Sequence, residues 1–343
     1  MNWRIGVDVS GGDFAPREIF KGAVLAKEEF DAQIFLIGKE EEIRREAKKE
    51  GVNLKDFSVV DAKEKIEMGE ASAISVRRKK NSSIVKGINL LKEKKIDAFV
   101  SCGNTGAVVC ASILIIGLIE GIERPGIALL LPTTKGISLV IDVGANVDPK
   151  PLHLLQYGVM SSVYYSLVLN KENPTVGLLN IGEESSKGTE LIKQTHRFFS
   201  MSPLNFIGNV EAKSVFLGKC DCIICDGYVG NIALKVSEGL AEAIGKFLSD
   251  AIKKNLRGRL GYLFIKPSMR SFKKMIDYAE YGGAPLLGVN GVVIIGHGRS
   301  NAYAVKNAVK VAIQELTRNL NEKIKRKVDE ICQNSKFREV LTF

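Results

Sequence analysis

Five polar segments each close a short apolar run. They are Asp8-Val9-Ser10-Gly11-Gly12-Asp13, Ser101-Cys102-Gly103-Asn104-Thr105-Gly106, Asp142-Val143-Gly144-Ala145-Asn146, Asn180-Ile181-Gly182-Glu183-Glu184-Ser185-Ser186-Lys187-Gly188 and Asp226-Gly227-Tyr228-Val229-Gly230-Asn231. Glycine lets a backbone take positive φ and approach a ligand closely, and Asn and Thr add uncharged hydrogen bonds. Helices expected to start after Gly106, Lys187 and Asn231 would contribute free N–H groups and the positive end of a dipole. Any one of these segments reads more simply as a tight turn. Five of them at strand ends, where open parallel sheets bind ligands, argue for an anion cradle and for phosphate chemistry.

Signatures of other chemistries are missing. Gly239-Leu240-Ala241-Glu242-Ala243-Ile244-Gly245-Lys246 is one residue too long for a P-loop and is followed by Phe247 where a magnesium-binding hydroxyl belongs. Gly11-Gly12 runs into Asp13, Phe14 and Ala15, so no dinucleotide fingerprint follows the first strand. There is no GxSxG elbow, and the three histidines, His153, His196 and His297, lack metal-ligand spacing. His297, in Gly296-His297-Gly298-Arg299-Ser300, either lines the site or makes a structural hydrogen bond. Cys220-Asp221-Cys222-Ile223-Ile224-Cys225 lies in an apolar run that reads as a strand, with Cys220 and Cys222 on one face and Cys225 on the other. Buried thiols acting as small hydrophobes suit that pattern better than a metal site. No metal and no cofactor is expected. A missing protein nucleophile fits a substrate that brings its own.

The elements that must position these loops form a βα series. Strands are predicted at Ile5–Val9, Gln33–Ile37, Phe57–Val60, Ala98–Ser101, Ile127–Leu131, Ser138–Asp142, Val176–Leu179, Leu204–Ile207, Cys222–Cys225 and Gly291–Ile295, alternating with helical stretches around a mainly parallel sheet. Pro16 suits the first turn of a helix running towards Phe30, and Gly51 suits the C-cap of Lys39–Glu50. With no linker or repeat to divide them, the 343 residues read as a single α/β domain, 1–343.

Six cysteines fit free thiols in a reducing compartment. The N-terminus reads as a strand rather than a signal peptide, and the apolar run Ala107–Ile119 is shorter than the roughly 17–25 residues a membrane helix needs. A cytoplasmic protein with a buried helix there is expected. A formal charge of +10 and a pI of about 9.2 favour acidic partners: nucleic acid, an anionic membrane or an acidic protein. No aromatic-basic reading motif accompanies the charge, which argues against nucleic acid.

One region breaks the alternation. In a long helix expected from Asn231, Ile244, Phe247, Leu248, Ala251 and Ile252 form an apolar stripe among Lys246, Lys253, Lys254, Arg257 and Arg259. An apolar patch, Leu260 to Ile265, and a second candidate helix with Arg270, Lys273 and Lys274 follow. The segment 244–276 reads as a protruding amphipathic unit, an interface with a partner subunit, a membrane-contacting element, or both.

Taken in order, the motifs resemble the phosphate acyltransferase family of bacterial phospholipid synthesis, the acyl-acyl-carrier-protein:phosphate transacylases. The resemblance runs from Val7–Asp13 through Ser101–Ala107, Gly177–Glu184, Lys187-Gly188 and Asp226–Asn231 to Glu280–Gly288. Two departures are Val9-Ser10 in place of the usual Ala-Met, and Ala212-Lys213-Ser214 in place of Gly-Arg-Asp, where Lys213 keeps a positive charge. The resemblance implies a three-layer α/β/α, isopropylmalate-dehydrogenase-like fold, a homodimer and peripheral membrane attachment. It also implies transfer of a long-chain acyl group from acyl-acyl carrier protein to inorganic phosphate, the acyl phosphate passing to a membrane glycerol-3-phosphate acyltransferase.

Phosphate dianion is itself a competent nucleophile, and a thiolate leaving group with a pKa of about 8.5 needs no obligatory strong acid. Lys187, at a helix start, is the expected contact to phosphate or oxyanion, with Asn231 as an uncharged donor; both match family positions. Lys187 alone also reads as a solvated lysine at a helix start. Asn104 and Thr105 are expected phosphate ligands, oriented by Asp226 and Asp8, and Gly11, Gly12, Asn146, Asn180 and His297 complete the candidate site. A phosphotransacetylase acting on short acyl-coenzyme A and a basic nucleic-acid-binding protein are the alternatives.

Overall fold

The computed structural model describes residues 2–254, 261–262, 264–269 and 278–333. Among these, eleven strands form one sheet: β1 Trp3–Asp8, β2 Ala32–Gly38, β3 Ser58–Asp61, β4 Ala98–Ser101, β5 Gly126–Thr133, β6 Gly136–Ile141, β7 Val176–Asn180, β8 Phe206–Glu211, β9 Cys222–Ile224, β10 Ala284–Leu287 and β11 Val292–Ile295. The order is β3-β2-β1-β4-β11-β10-β5-β6-β9-β7-β8. All ten predicted strands are present. The eleventh, β10, is only four residues long and carries Pro285, which argues against a central strand from sequence.

β10 is the joint of the sheet. Ala284 and Pro285 pair antiparallel with β11, and Leu286 and Leu287 pair antiparallel with β5, which is in turn antiparallel to β6. The two parallel blocks, β3-β2-β1-β4-β11 and β6-β9-β7-β8, therefore run in opposite local directions. Strand twist offsets this: six steps from β1 to β9, each of about 20–25°, turn the strand axis by about 120–150° and swing the two carboxyl edges towards a common side.

Helices α3 Ser72–Arg78, α4 Ser83–Lys92 and α5 Thr105–Ile115 lie on one face over a continuous apolar cluster that includes Phe99, Ile127, Val140, Ile223 and Val293. On the other face, α1 Arg17–Glu29 packs against the helix Ala302–Thr317 over Ala98, Val100 and Ile294. Beside them, α6 Pro151–Val168 and the helix Leu320–Gln333 cover Leu139, Ile141, Cys222 and Ile224. This is a three-layer α/β/α architecture. The strand alternation puts Cys222 in one layer and Cys225 in the other, but Cys220 joins Cys225 rather than Cys222, because it precedes the three-residue β9 and is outside its alternation.

α1 begins one residue after Pro16, and α2, Glu40–Glu50, ends at Gly51 with φ +67° as the cap requires. The apolar run after Gly106 is α5, buried along Ala107, Val108, Val109 and Ala111 but with Leu114 exposed. Among the described residues no helix is long and apolar enough to cross a membrane.

Candidate active site

The carboxyl ends of β1 and β4 form the first edge. Asp8 is fully buried; one oxygen accepts from the Ser10 N–H at 3.2 Å and the other from the Ser101 hydroxyl at 2.7 Å. Burial pushes its pKa up, opposed by hydrogen bonds from Ser83, Ser101 and Ser10. Ser101 in turn accepts from the Gly103 N–H at 3.1 Å. Gly11 lies so close that a Cβ there would sit 2.5 Å from Asp8 Oδ2 and 2.7 Å from the Gly103 nitrogen, so only glycine fits without rearrangement. Gly12, at φ +104°, packs beside the Gly298 carbonyl, which accepts from the Asp13 N–H.

Asn104 was expected to offer its side chain to phosphate, and the structure uses that side chain otherwise. Its Oδ1 caps α5 by accepting from Ala107 N–H at 2.9 Å and also accepts from Ser72; its Nδ2 faces the carbonyls of Glu67, Met68 and Glu70 at 3.0–3.3 Å. What this edge leaves for an anion is the start of α5: among the described residues the N–H groups of Thr105 and Gly106 have no acceptor, and the Thr105 hydroxyl, half-buried, has no partner.

The second edge joins the ends of β6, β9 and β7. Asp142, fully buried, accepts from the N–H groups of Ile127, Gly144, Ala145 and Asn146 at 2.7–3.0 Å and so shapes the loop after β6. Burial pushes its carboxyl up in pKa and those N–H bonds oppose the shift. Asn146 turns its amide towards the Tyr157 hydroxyl at 3.5 Å, and its carbonyl accepts from Gly227 N–H at 2.8 Å.

The polar loop expected from Asp226 to Asn231 is instead the start of a helix. Asp226 is the N-cap of α8, Gly227–Lys253, and its side chain accepts from Val229 N–H at 2.8 Å. α8 can begin this early because glycines line its contact with Asp142. A Cβ on Gly227 would lie 2.6 Å from Asp142 Oδ2, and one on Gly230 would collide with the Asp142 carbonyl. Asn231 is therefore in the second turn of α8, exposed, beside Gly144, and its amide has no partner among the described residues.

Asn180 ends β7 and staples the following loop: its Oδ1 accepts from Ile181 N–H and its Nδ2 donates to the Lys187 carbonyl at 3.0 Å. Lys187 is exposed, and its ammonium has no partner among the described residues. The helix expected directly after Lys187 starts two residues later than Gly188: Thr189 caps α7, Glu190–Met201. Strands lie about 4.8 Å apart, so Asp142 and Asn180 end about 10 Å apart with the α8 start between them. Lys187, on the loop after β7, and Asn231, in the second turn of α8 after β9, thus extend from the ends of neighbouring strands.

His297 links the edges. Its Nδ1 accepts from Arg299 N–H at 3.2 Å and its Nε2 lies 3.8 Å from Glu238 on α8, while Arg299 pairs with Glu242 at 2.9 Å. The loop after β11 therefore ties the Gly12 region to a point about 17 Å along α8 from its start. Of the two readings of His297, the geometry favours the structural tie.

The structural roles of Asp142, Ser101 and Ser72 are not apparent from the sequence segments that contain them. The repeat of an aspartate at the ends of β1, β6 and β9 was the available signal. Lys213, in the segment that departs from the family pattern, pairs with Glu211 at 2.7 Å on the surface.

A family model described as "Fatty acid synthesis protein" matches residues 3–323. The chain is 48% identical over 323 residues to a phosphate acyltransferase of Dictyoglomus turgidum, covering 94% of this chain and 96% of the relative. It is 44% identical over 326 residues to one of Geobacter sulfurreducens, covering 95% and 94%. Among solved structures, a phosphotransacetylase from Streptococcus pyogenes superposes with a TM-score of 0.62 at 17% identity, over 92% of this chain and 94% of that one. A structure described as a putative 4-hydroxythreonine-4-phosphate dehydrogenase from Salmonella typhimurium gives 0.52 at 13%, over 92% and 99%. These last two show a shared fold.

Proposed function

The chain belongs to the phosphate acyltransferase family, enzymes that pass an acyl group to phosphate for phospholipid synthesis, and we propose that its donor is long-chain acyl-acyl carrier protein. The observation that carries the reading is the pair Lys187, on the loop after β7, and Asn231, in the second turn of α8, whose side chains have no partner among the described residues, in a chain 44–48% identical to phosphate acyltransferases over nearly its full length. Inorganic phosphate docks on the free N–H groups of Thr105 and Gly106 and is held by Lys187, with one phosphate oxygen aimed at the thioester carbonyl. Attack forms the C–O bond. Lys187 and the Asn231 amide stabilise the oxyanion, and its collapse breaks the C–S bond and releases the carrier thiolate. Asp142, Asp8 and Asp226 orient the loops and the α8 cap, and touch no reacting atom. Gly11 and Gly12 let the first loop close around the phosphate, and Asn146 and Asn180 hold the second edge.

The single enzyme domain, 1–343, forms a homodimer in this reading. α8 supports it: Ile232, Val236, Leu240, Ile244 and Phe247 recur at about four-residue spacing and are 46–71% exposed, a longer apolar stripe than the sequence suggested. Phe264, 86% exposed, and Ile265 suit contact with an anionic membrane, from which the product reaches a membrane glycerol-3-phosphate acyltransferase. The other residues assigned to that contact, including Arg257, Arg259, Leu260, Leu263, Arg270, Lys273 and Lys274, lie outside the described residues.

Incubation of the purified protein with phosphate and long-chain acyl-acyl carrier protein is expected to yield acyl phosphate and free carrier thiol. Turnover confined to acetyl-coenzyme A would replace this reading with that of a phosphotransacetylase.

A further inference from the structure

Next to the Lys187 loop lies a second feature that the proposed reaction does not use. Ser185, Ser186, Lys193, His196 and Arg197 line an open cavity of about 450 Å³. Lys193, His196 and Arg197 stand at i, i+3 and i+4 on α7 and so share one helix face. The His196 ring is fixed edge-on to Phe206, with centroids 5.0 Å apart. Ser185 and Ser186 are held against this face because the carbonyls on either side are anchored. The Asn209 amide donates to the Glu184 carbonyl at 2.8 Å, and the Asn180 amide donates to the Lys187 carbonyl at 3.0 Å.

Nearby carboxylates are engaged elsewhere. Glu183 pairs with Lys219 at 3.2 Å, Glu184 folds back over Gly182, and Glu190 accepts from Gln194 at 3.2 Å. Among the described residues, Lys193, Arg197 and the two serine hydroxyls have no side-chain partner. Two cations and two hydroxyls converge on a cavity without a counter-charge, which is the donor set of a phosphate-ester site. Lys187 follows Ser186 directly, so the loop that lines this cavity also carries the lysine proposed to meet the thioester, at the far end of the donor's arm.

We propose that this cavity binds the phosphoryl group of the acyl donor's phosphopantetheine arm, so that one rigid loop reads the arm at Ser185-Ser186 and the thioester at Lys187. The proposal rests on the acyl-thioester reading above. It assigns donor binding, not chemistry, to Lys193 and Arg197.

The test compares wild type with Lys193→Ala/Arg197→Ala and with Arg197→Glu on four donors: acyl-pantetheine, acyl-4′-phosphopantetheine, acyl-coenzyme A and acyl-acyl carrier protein. We expect the variants to keep the wild-type melting temperature, kcat and KM for inorganic phosphate. KM should rise about tenfold, the scale of a lost charge-assisted hydrogen bond, for the three phosphorylated donors and stay unchanged for acyl-pantetheine. An equal rise for acyl-pantetheine overturns the proposal. So does a rise confined to inorganic phosphate, to coenzyme A or to the intact carrier protein, since these assign the pocket to another anion or to the carrier's surface. If wild type forms acyl phosphate from none of the four, both readings fall; if wild type is active and the variants do not discriminate, only the pocket falls.

Discussion

At the edge formed by β1 and β4, the long polar side chains that stand out in the sequence as ligands, Asp8 and Asn104, are taken up by hydrogen bonds within the fold, whereas at the edge formed by β6, β9 and β7 Lys187 and Asn231 are left over. Both edges use a buried aspartate, Asp8 or Asp142, to fold a glycine-containing loop against a helix start. At the first edge Ser101 bonds to Asp8 and Ser72 to Asn104, and the free donors at the α5 start, the Thr105 and Gly106 N–H groups and the short Thr105 hydroxyl, are held on or beside the backbone. At the second, Asp142 and Asn180 consume the loop's own groups, and Lys187 and Asn231 project from the result. The difference suits a division of labour. Rigid N–H groups hold a charge that is present from the start, and mobile side chains follow a charge that develops during reaction.

The largest expected effect tests that division at the second edge. Lys187→Ala should lower kcat for acyl phosphate formation by about 10²–10³-fold, the loss seen when one oxyanion donor is removed. Because the ammonium has no partner to release, the melting temperature should not move. A Lys187→Ala protein that kept full acyl-phosphate synthesis would remove it from the mechanism and break the comparison on its more informative side.

Asp142→Asn should act in the opposite sense, on folding before chemistry. Oδ1 accepts from Ile127, Gly144 and Ala145, and Oδ2 from Ala145 and Asn146, so either orientation of an asparagine amide turns its NH₂ against backbone N–H groups. A cost of about 2–3 kcal/mol follows, read as a lower denaturant midpoint. An unchanged midpoint would show that the loop is held by the α8 contact at Gly227 instead.

How much of this was legible beforehand differs between the edges for a physical reason. Strand periodicity located ten strands and the five loops, because apolar alternation and glycine are local signals. It missed β10, whose pairing is decided by the strands on either side and not by its own four residues. The sequence pattern points to a helix from Asn231, but α8 starts at Gly227. Glycine normally ends a helix, but here Gly227 and Gly230 are what allow it to pack on Asp142. Lys187 and Asn231 could be picked out because an exposed functional side chain depends little on its surroundings. Asn104 could not be read correctly, because a ligand and an N-cap look the same until the 67–70 loop closes over the amide.

Asn104→Ala is therefore the smallest and most discriminating of the three changes. It removes the cap on α5 and the donor to Glu67, Met68 and Glu70, and should cost about 1–2 kcal/mol, visible as a lower midpoint in urea. The Thr105 and Gly106 N–H groups belong to the backbone and survive the substitution. KM for phosphate should therefore rise only through loosening of the α5 start, by less than about threefold, and kcat should stay within about twofold of wild type. A loss of activity on the scale of Lys187→Ala, with the midpoint unmoved, would mean that the amide leaves its cap to bind phosphate. The two edges would then work alike, with side chains and not backbone carrying the anion at both.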